Sequence, residues 1–302
     1  MASVSVPGGP FGVDAQWLFP IECLSQTPTA LDRSMHDEMY DRARGIEFLF
    51  RLGSSIGLHI PGIMTAATWF HRFFMRYSME DYHRQNVAAA CIFLATKTEE
   101  CGRKLKDVAR VMVSKLKGVD PGHVPDNGKD VEEAVVWILQ TEEVLLDALC
   151  FDFVVDSPHG DLVTLFEACD TSPIVQDYAF SIAHDSYRTP LCVLCPPRII
   201  AAACFVLAQK VADGPNSLSL DARISSSAPT ASLPTPPSHK PTSPDASRLA
   251  IDFFCFDDTE LLAVADSLDI ILEFYNFQSS SPLGEHLDRI VEVCHHNLRS
   301  IW

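Results

Sequence analysis

The sequence predicts an all-α protein made of two tandem five-helix repeats, and three observations carry that reading. Apolar residues recur every three to four positions along most of the chain, with no two-residue alternation bounded by hairpin turn residues. From Val87 to Ala95 every side chain is apolar or small, so a helix there has no wet face and must be enclosed by others. A near copy then returns downstream. Ala88-Ala89-Ala90-Cys91-Ile92-Phe93-Leu94-Ala95-Thr96-Lys97 matches Ala201-Ala202-Ala203-Cys204-Phe205-Val206-Leu207-Ala208-Gln209-Lys210 at seven of ten positions, at an offset of 113. The same offset sets His71 on His184 and Phe74 on Tyr187, and a register shared across two helices points to an internal duplication.

A first helix is expected from Asp37 to Ser55, closing near Gly57, and a second from Pro61, where proline suits the first turn, to about Tyr77. The enclosed Ala-rich helix is third, and helices from Lys104 to Lys117 and Val131 to Leu149 complete the first repeat. The second repeat opens at Ser157-Pro158, an N-cap followed by proline, and continues through Ile174 to Arg188, Pro197 to Val211 and Asp258 to Tyr275. Between the last two, Gly214 to Ser247 is dominated by Ser, Pro and Thr, a composition too polar to offset ordering entropy, and is expected to be a disordered insertion. It holds two proline-directed phosphorylation dipeptides, Thr235-Pro236 and Ser243-Pro244. The resulting organisation is an N-terminal extension (1–36), a first repeat (37–153), a second repeat (154–278) interrupted at 214–247, and a C-terminal tail (279–302).

Charge narrows the function classes. A net −17 over 302 residues repels phosphate backbones and anionic bilayers, which argues against direct nucleic-acid or membrane-surface binding. The ten-residue apolar run from Ile199 to Ala208 falls well short of the roughly 18 residues a spanning helix needs. With no signal layout at the N-terminus, an intracellular, soluble protein without disulfides is expected. Arg103, Lys104, Lys106, Arg110, Lys115 and Lys117 form a basic stretch that reads more readily as a solvated helix face than as a binding patch.

Catalytic chemistry is nearly absent. There is no phosphate loop, nucleophile elbow or HExxH pattern, and no cofactor is expected. Cys192 and Cys195 have CxxC spacing but lack a second pair, so core or loop cysteines are favoured over zinc or redox chemistry. His184-Asp185 could centre an all-α metal-dependent phosphohydrolase, although the repeat offers His184 a simpler role as the counterpart of His71.

Specific motifs sharpen the reading. Trp69-Phe70-His71-Arg72-Phe73-Phe74-Met75 and Phe93-Leu94-Ala95-Thr96-Lys97-Thr98-Glu99-Glu100 resemble two signatures of the transcriptional cyclins, carried on the second and third helices of the cyclin fold. Trp17-Leu18-Phe19 with Thr27-Pro28 and Leu31 resembles the lead-in of cyclins K and T. Thr141-Glu142-Glu143 through Cys150-Phe151-Asp152-Phe153 resembles the fifth helix and its exit. Coverage runs from about 17 to 278, and the text is similar to fungal cyclins that partner kinases of the RNA polymerase II C-terminal domain, including the beta-subunit type.

This resemblance implies a non-catalytic regulatory subunit in the nucleus, activating a cyclin-dependent kinase, with a possible third subunit or transcription factor on the second repeat. It implies a kinase-binding set of Lys97, Glu142, Glu100, Leu94, Leu146, Phe151 and Phe153, in which the lysine and glutamate grip the kinase αC helix and the apolar residues form its socket. The residues alone leave another reading open, with Lys97 satisfying the last carbonyls of its own helix and Glu142 a solvated first-turn acid. The stretch Ala43-Arg44-Gly45-Ile46-Glu47 departs from the substrate-docking patch of cell-cycle cyclins, so no such site is expected. The general transcription factor TFIIB shares the duplicated fold and is the main competing reading, opposed by the acidic second half and the lack of an N-terminal zinc ribbon.

Overall fold

The computed structural model describes residues 16–225 and 248–279. Within them every regular element is helical. The described residues form two compact units, one of 16–155 with Tyr187–Leu194, the other of Asp156–Ser186 with 195–225 and 248–279.

In the first unit, α1 (Met35–Ile56) starts two residues before the predicted point because Ser34 caps it, its side chain accepting from the Asp37 N–H. It ends on Gly57 at φ 72°, whose N–H reaches the Gly53 and Ser54 carbonyls. α2 (Ile60–Phe74) stops short of Tyr77, where the chain turns out of the helix and the Met79 N–H donates to Thr29 Oγ1 at 3.0 Å. α3 (Arg84–Thr98) is buried without a break from Val87 to Thr96. α4 (Leu105–Lys117) and α5 (Lys129–Ala148) pack against it and each other. Most of the basic stretch is a solvated face with local acceptors: Lys106 donates to Asn127, Arg110 to Asp126 and Lys117 to Asp130, while Arg103 caps the Ile56 carbonyl. Ala43, Gly45 and Ile46 turn inward, and a Cβ at Gly45 would lie 2.3 Å from Phe70 Cζ. Glycine at 45 therefore lets α1 and α2 approach, and only Arg44 and Glu47 of that stretch reach the surface.

A buried polar cluster ties α1 to α2. Arg42 and Glu38 both have 0 % side-chain exposure and pair at 2.7 Å. Arg42 Nη2 also donates to the Phe74 carbonyl at 2.8 Å, and Thr27 donates to the Glu38 carboxylate. His71 completes the cluster, with Nε2 2.9 Å from the Tyr187 carbonyl and Nδ1 3.4 Å from Arg42 Nη1. A neutral ring donating from Nε2 and accepting at Nδ1 satisfies both neighbours. Burial first, then the Arg42 charge, pushes the His71 pKa down to about 3. The unfolded chain therefore takes a proton that the fold refuses, and this stabilising contribution is complete above pH 6.5 and drains as pH falls from there toward 3. Between pH 7 and 5 the native chain should lose about 2 kcal/mol more unfolding free energy than His71→Gln, as read by urea titration at both pH values.

The second unit holds α6 (Pro158–Ala168), capped by Ser157, then α7 (Pro173–Ser186), α8 (Pro197–Asp213), α9 (Leu220–Ile224), α10 (Leu249–Phe254) and α11 (Asp258–Ser279). The offset of 113 carries Ile60 of α2 onto Pro173 of α7 and Arg84 of α3 onto Pro197 of α8, which start those helices. α8 repeats the enclosed character of α3, buried from Ile199 to Lys210. Two short helices stand where the first repeat has α4. The start of the insertion corrects the expectation of disorder from Gly214 onward. Lys210, fully buried, donates to the Pro215 and Ser217 carbonyls and to Ser217 Oγ at 3.1–3.4 Å, and Arg223 pairs with Asp213 at 2.8 Å. These cations fasten residues 214–225 to the end of α8. Thr235 and Ser243 lie outside the described residues.

Candidate functional site

Lys97 and Glu142 meet where the last turn of α3 packs against α5. Lys97 occupies the last turn of α3, and its Nζ donates to both Glu142 oxygens, at 2.7 and 2.8 Å. Glu142 is no first-turn acid. It stands deep within α5, its side chain 7 % exposed, whereas the lysine side chain is 49 % exposed. The ammonium also lies 4.2 Å from the Phe93 ring centroid, a second attraction that aims it away from its own helix carbonyls. A buried carboxylate thus holds a half-open cation against an aromatic face.

The apolar members divide by depth. Leu94 is buried on α3, three residues before Lys97, while Leu146 is half-buried on the same helix as Glu142. Leu145 and Leu149 belong wholly to the core. Phe151 stands out, 67 % exposed, its ring 6.3 Å from that of Phe153. Phe153 packs in turn edge-on to buried Trp69 at 5.8 Å. Glu100, at φ 53°, is exposed in the turn after α3 and is not part of the Lys97–Glu142 contact.

The exit of α5 has an unusual backbone. Cys150 and Phe151 both adopt the left-handed conformation, at φ 51° and 57°, and the Phe151 N–H reaches back to the Leu146 carbonyl at 3.1 Å. Residues to which the sequence assigns no role in the site hold it there. Arg76 donates to the Ala148 carbonyl at 2.8 Å, and Arg72 to the Val154 carbonyl at 3.2 Å. Asp152 Oδ2 accepts from Trp17 Nε1 at 2.7 Å and from Gln16 Nε2 at 2.6 Å, and the Arg72 guanidinium lies 4.7 Å from the Trp17 ring centroid. The Trp17 hydrogen bond, with those of Val154 and Gln16 and the Arg72 charge, holds the Asp152 carboxyl below the usual range. Trp17 and Arg72 are visible in the sequence as motif residues, but their convergence on Asp152 spans 135 positions and has no local signature.

His184 lies beside His159, Asp185 accepts from the Tyr275 hydroxyl at 3.0 Å, and among the described residues no three His, Cys, Asp or Glu side chains converge as metal ligands. Cys192 and Cys195 are free thiols raised to about 12 and 11, chiefly by burial.

Comparison with known proteins decides among the readings. Residues 22–154 match the family described as cyclin, N-terminal domain. Cyclin pch1 of Schizosaccharomyces pombe is 38% identical over 211 residues, spanning 68% of this chain and 60% of its own length. Cyclin-K of Danio rerio is 32% identical over 200 residues, 65% of this chain and 45% of its own. The chain thus spans about half the length of these relatives. Among solved structures, a chain of the yeast RNA Pol II CTD kinase CTDK-1 complex superposes with a TM-score of 0.66 at 17% identity, covering 93% of this chain and 83% of that one, which shows a shared fold. With both signature motifs on the second and third helices, residues 22–154 carry a cyclin N-terminal domain, and the chain is similar to the transcriptional cyclins.

Proposed function

We propose that the chain is a regulatory subunit of a cyclin-dependent protein kinase that phosphorylates the RNA polymerase II C-terminal domain, and that it acts in the nucleus. It contributes no catalytic group. A protein kinase is active only when its αC glutamate pairs with the strand lysine that orients the ATP phosphates. A subunit that binds only the swung-in position of αC shifts the population toward that state by its differential affinity. Lys97 and Glu142 grip the αC helix and adjacent backbone, Leu94, Leu146, Phe151 and Phe153 form its socket, and Glu100 lies at the rim. A standard interface of roughly 1,600 Å² would place Phe151 among its few dominant anchors.

One observation carries this assignment: a half-open lysine fixed by a buried glutamate of α5, the helix whose exit holds a phenylalanine out into solvent. An aromatic of that size gains little unless a partner covers it. The second repeat serves as a scaffold or a platform for a third subunit, because its Lys210 is buried in its own loop.

The test is co-expression of the chain with each cyclin-dependent kinase catalytic subunit of the genome that encodes it, with each pair then assayed on a polymerase C-terminal-domain peptide. One subunit should co-purify and gain at least a hundredfold in activity. If none gains activity, the assignment is wrong.

A further inference from the structure

We infer that residues 16–19 form a latch that sets the outward pose of Phe151, with Trp17 and Asp152 as its positioning residues. The latch presupposes that Phe151 is a kinase-binding anchor. Two successive non-glycine residues in the left-handed conformation, Cys150 and Phe151, persist only where the surroundings over-determine them. The contacts made within α5 are not sufficient for that. They fix the Cys150, Phe151 and Asp152 N–H groups on the Asp147, Leu146 and Leu149 carbonyls, and they leave the next residues free to peel away.

Residues 152–154 are clamped from two sides. The Asp152 carboxylate takes one N–H from its own loop, that of Val154 at 3.2 Å, and two from the N-terminal segment, at 2.6 and 2.7 Å. Hydrogen bonds to an ionised acceptor are about twice as strong as neutral ones. The Trp17 ring closes over the Arg72 guanidinium, which also donates to the Asp152 and Val154 carbonyls, so α2, the segment and the exit meet on one aspartate. The segment is itself anchored, since the Phe19 N–H donates to the Val193 carbonyl at 2.8 Å. Asp152 lies between Phe151 and Phe153. Holding its carboxylate therefore fixes which way the preceding ring leaves the chain. A segment remote in sequence becomes a determinant of kinase affinity without touching the kinase.

The test uses the intact chain, in two measurements. The first needs no partner. Trp17→Phe keeps an aromatic ring for Arg72 and removes the indole N–H, and it should speed amide hydrogen exchange at Asp152 and Val154 by about tenfold while exchange within α3 is unchanged. Unchanged exchange at those amides overturns the latch, whatever the kinase does. The second measures the dissociation constant of the kinase subunit identified by co-expression. Trp17→Phe and Asp152→Ala should each weaken binding about five- to thirtyfold with unchanged helical circular dichroism. The double variant should bind no worse than Asp152→Ala alone, because both remove one shared contact. Neither should weaken binding further in a Phe151→Ala background. A further loss there would show that they act by another route and overturn the latch. If Phe151→Ala weakens binding and the two latch variants do not, the latch fails and the kinase assignment stands. If Phe151→Ala binds as tightly as the native chain, the anchor and its latch fail together.

Discussion

Lys97→Ala and Glu142→Ala should each abolish activation of the partner kinase while leaving helical content unchanged. The two losses differ in origin. Removing the lysine strands a carboxylate that is already nine-tenths buried and that a docked helix would seal completely. Removing the glutamate releases an ammonium whose position depends on it, leaving only the Phe93 ring to hold it. Truncating one member of a hydrogen-bonded charge pair in a sealed interface costs about 2–5 kcal/mol, which is roughly 30- to several-thousand-fold in affinity. In the unbound chain the lysine is half in water, so the same pair adds little to stability and thermal unfolding should move by only a few degrees. The charge swap Lys97→Glu with Glu142→Lys separates the two roles. It can rebuild the internal pair but presents the wrong charge outward, so activation should stay lost. Full activation by both single variants would remove these residues from the interface.

Arg42→Ala should destabilise the first unit more than any variant of the surface site. Its guanidinium is fully buried among Glu38, the Phe74 carbonyl and His71, and alanine would leave a carboxylate sealed in the core with only the Thr27 hydroxyl for company. Breaking such a pair by removing one partner costs about 3–5 kcal/mol. For a unit of this size that lowers Tm by about 6–20 °C. Replacing both ions, Glu38→Met with Arg42→Leu, should recover part of the loss, because no charge is then left unpaired. Scanning calorimetry of the three proteins checks the order, and an Arg42→Ala chain melting within a degree or two of native would show that the cluster is not needed.

The parts of the molecule legible in the sequence are those written in local periodicity. α3 is unmistakable because ten consecutive side chains are buried, and the offset of 113 brings out its copy in α8. Gly57 and Ser157 mark helix boundaries because capping is chemistry of one residue and its neighbours. The Lys97–Glu142 contact is legible only through family resemblance, since nothing in the 45-residue separation says that two helix faces will meet. The Glu38–Arg42 pair escapes notice for the opposite reason. Opposite charges four apart on a helix ordinarily mark a wet surface, and only tertiary packing reveals that this pair is dry. Residues 214–225 depart from the expected disorder because a composition window averages Arg223 away and does not reach back to Lys210, the two cations that fasten this segment.

Lys97 and Lys210 occupy equivalent rungs of the duplicated ladder but have opposite fates, one offered outward, the other consumed by its own loop. Duplication has therefore doubled the framework without doubling the handle. A complex built on this chain should contain a single kinase subunit per copy, at any excess of kinase in the mixture.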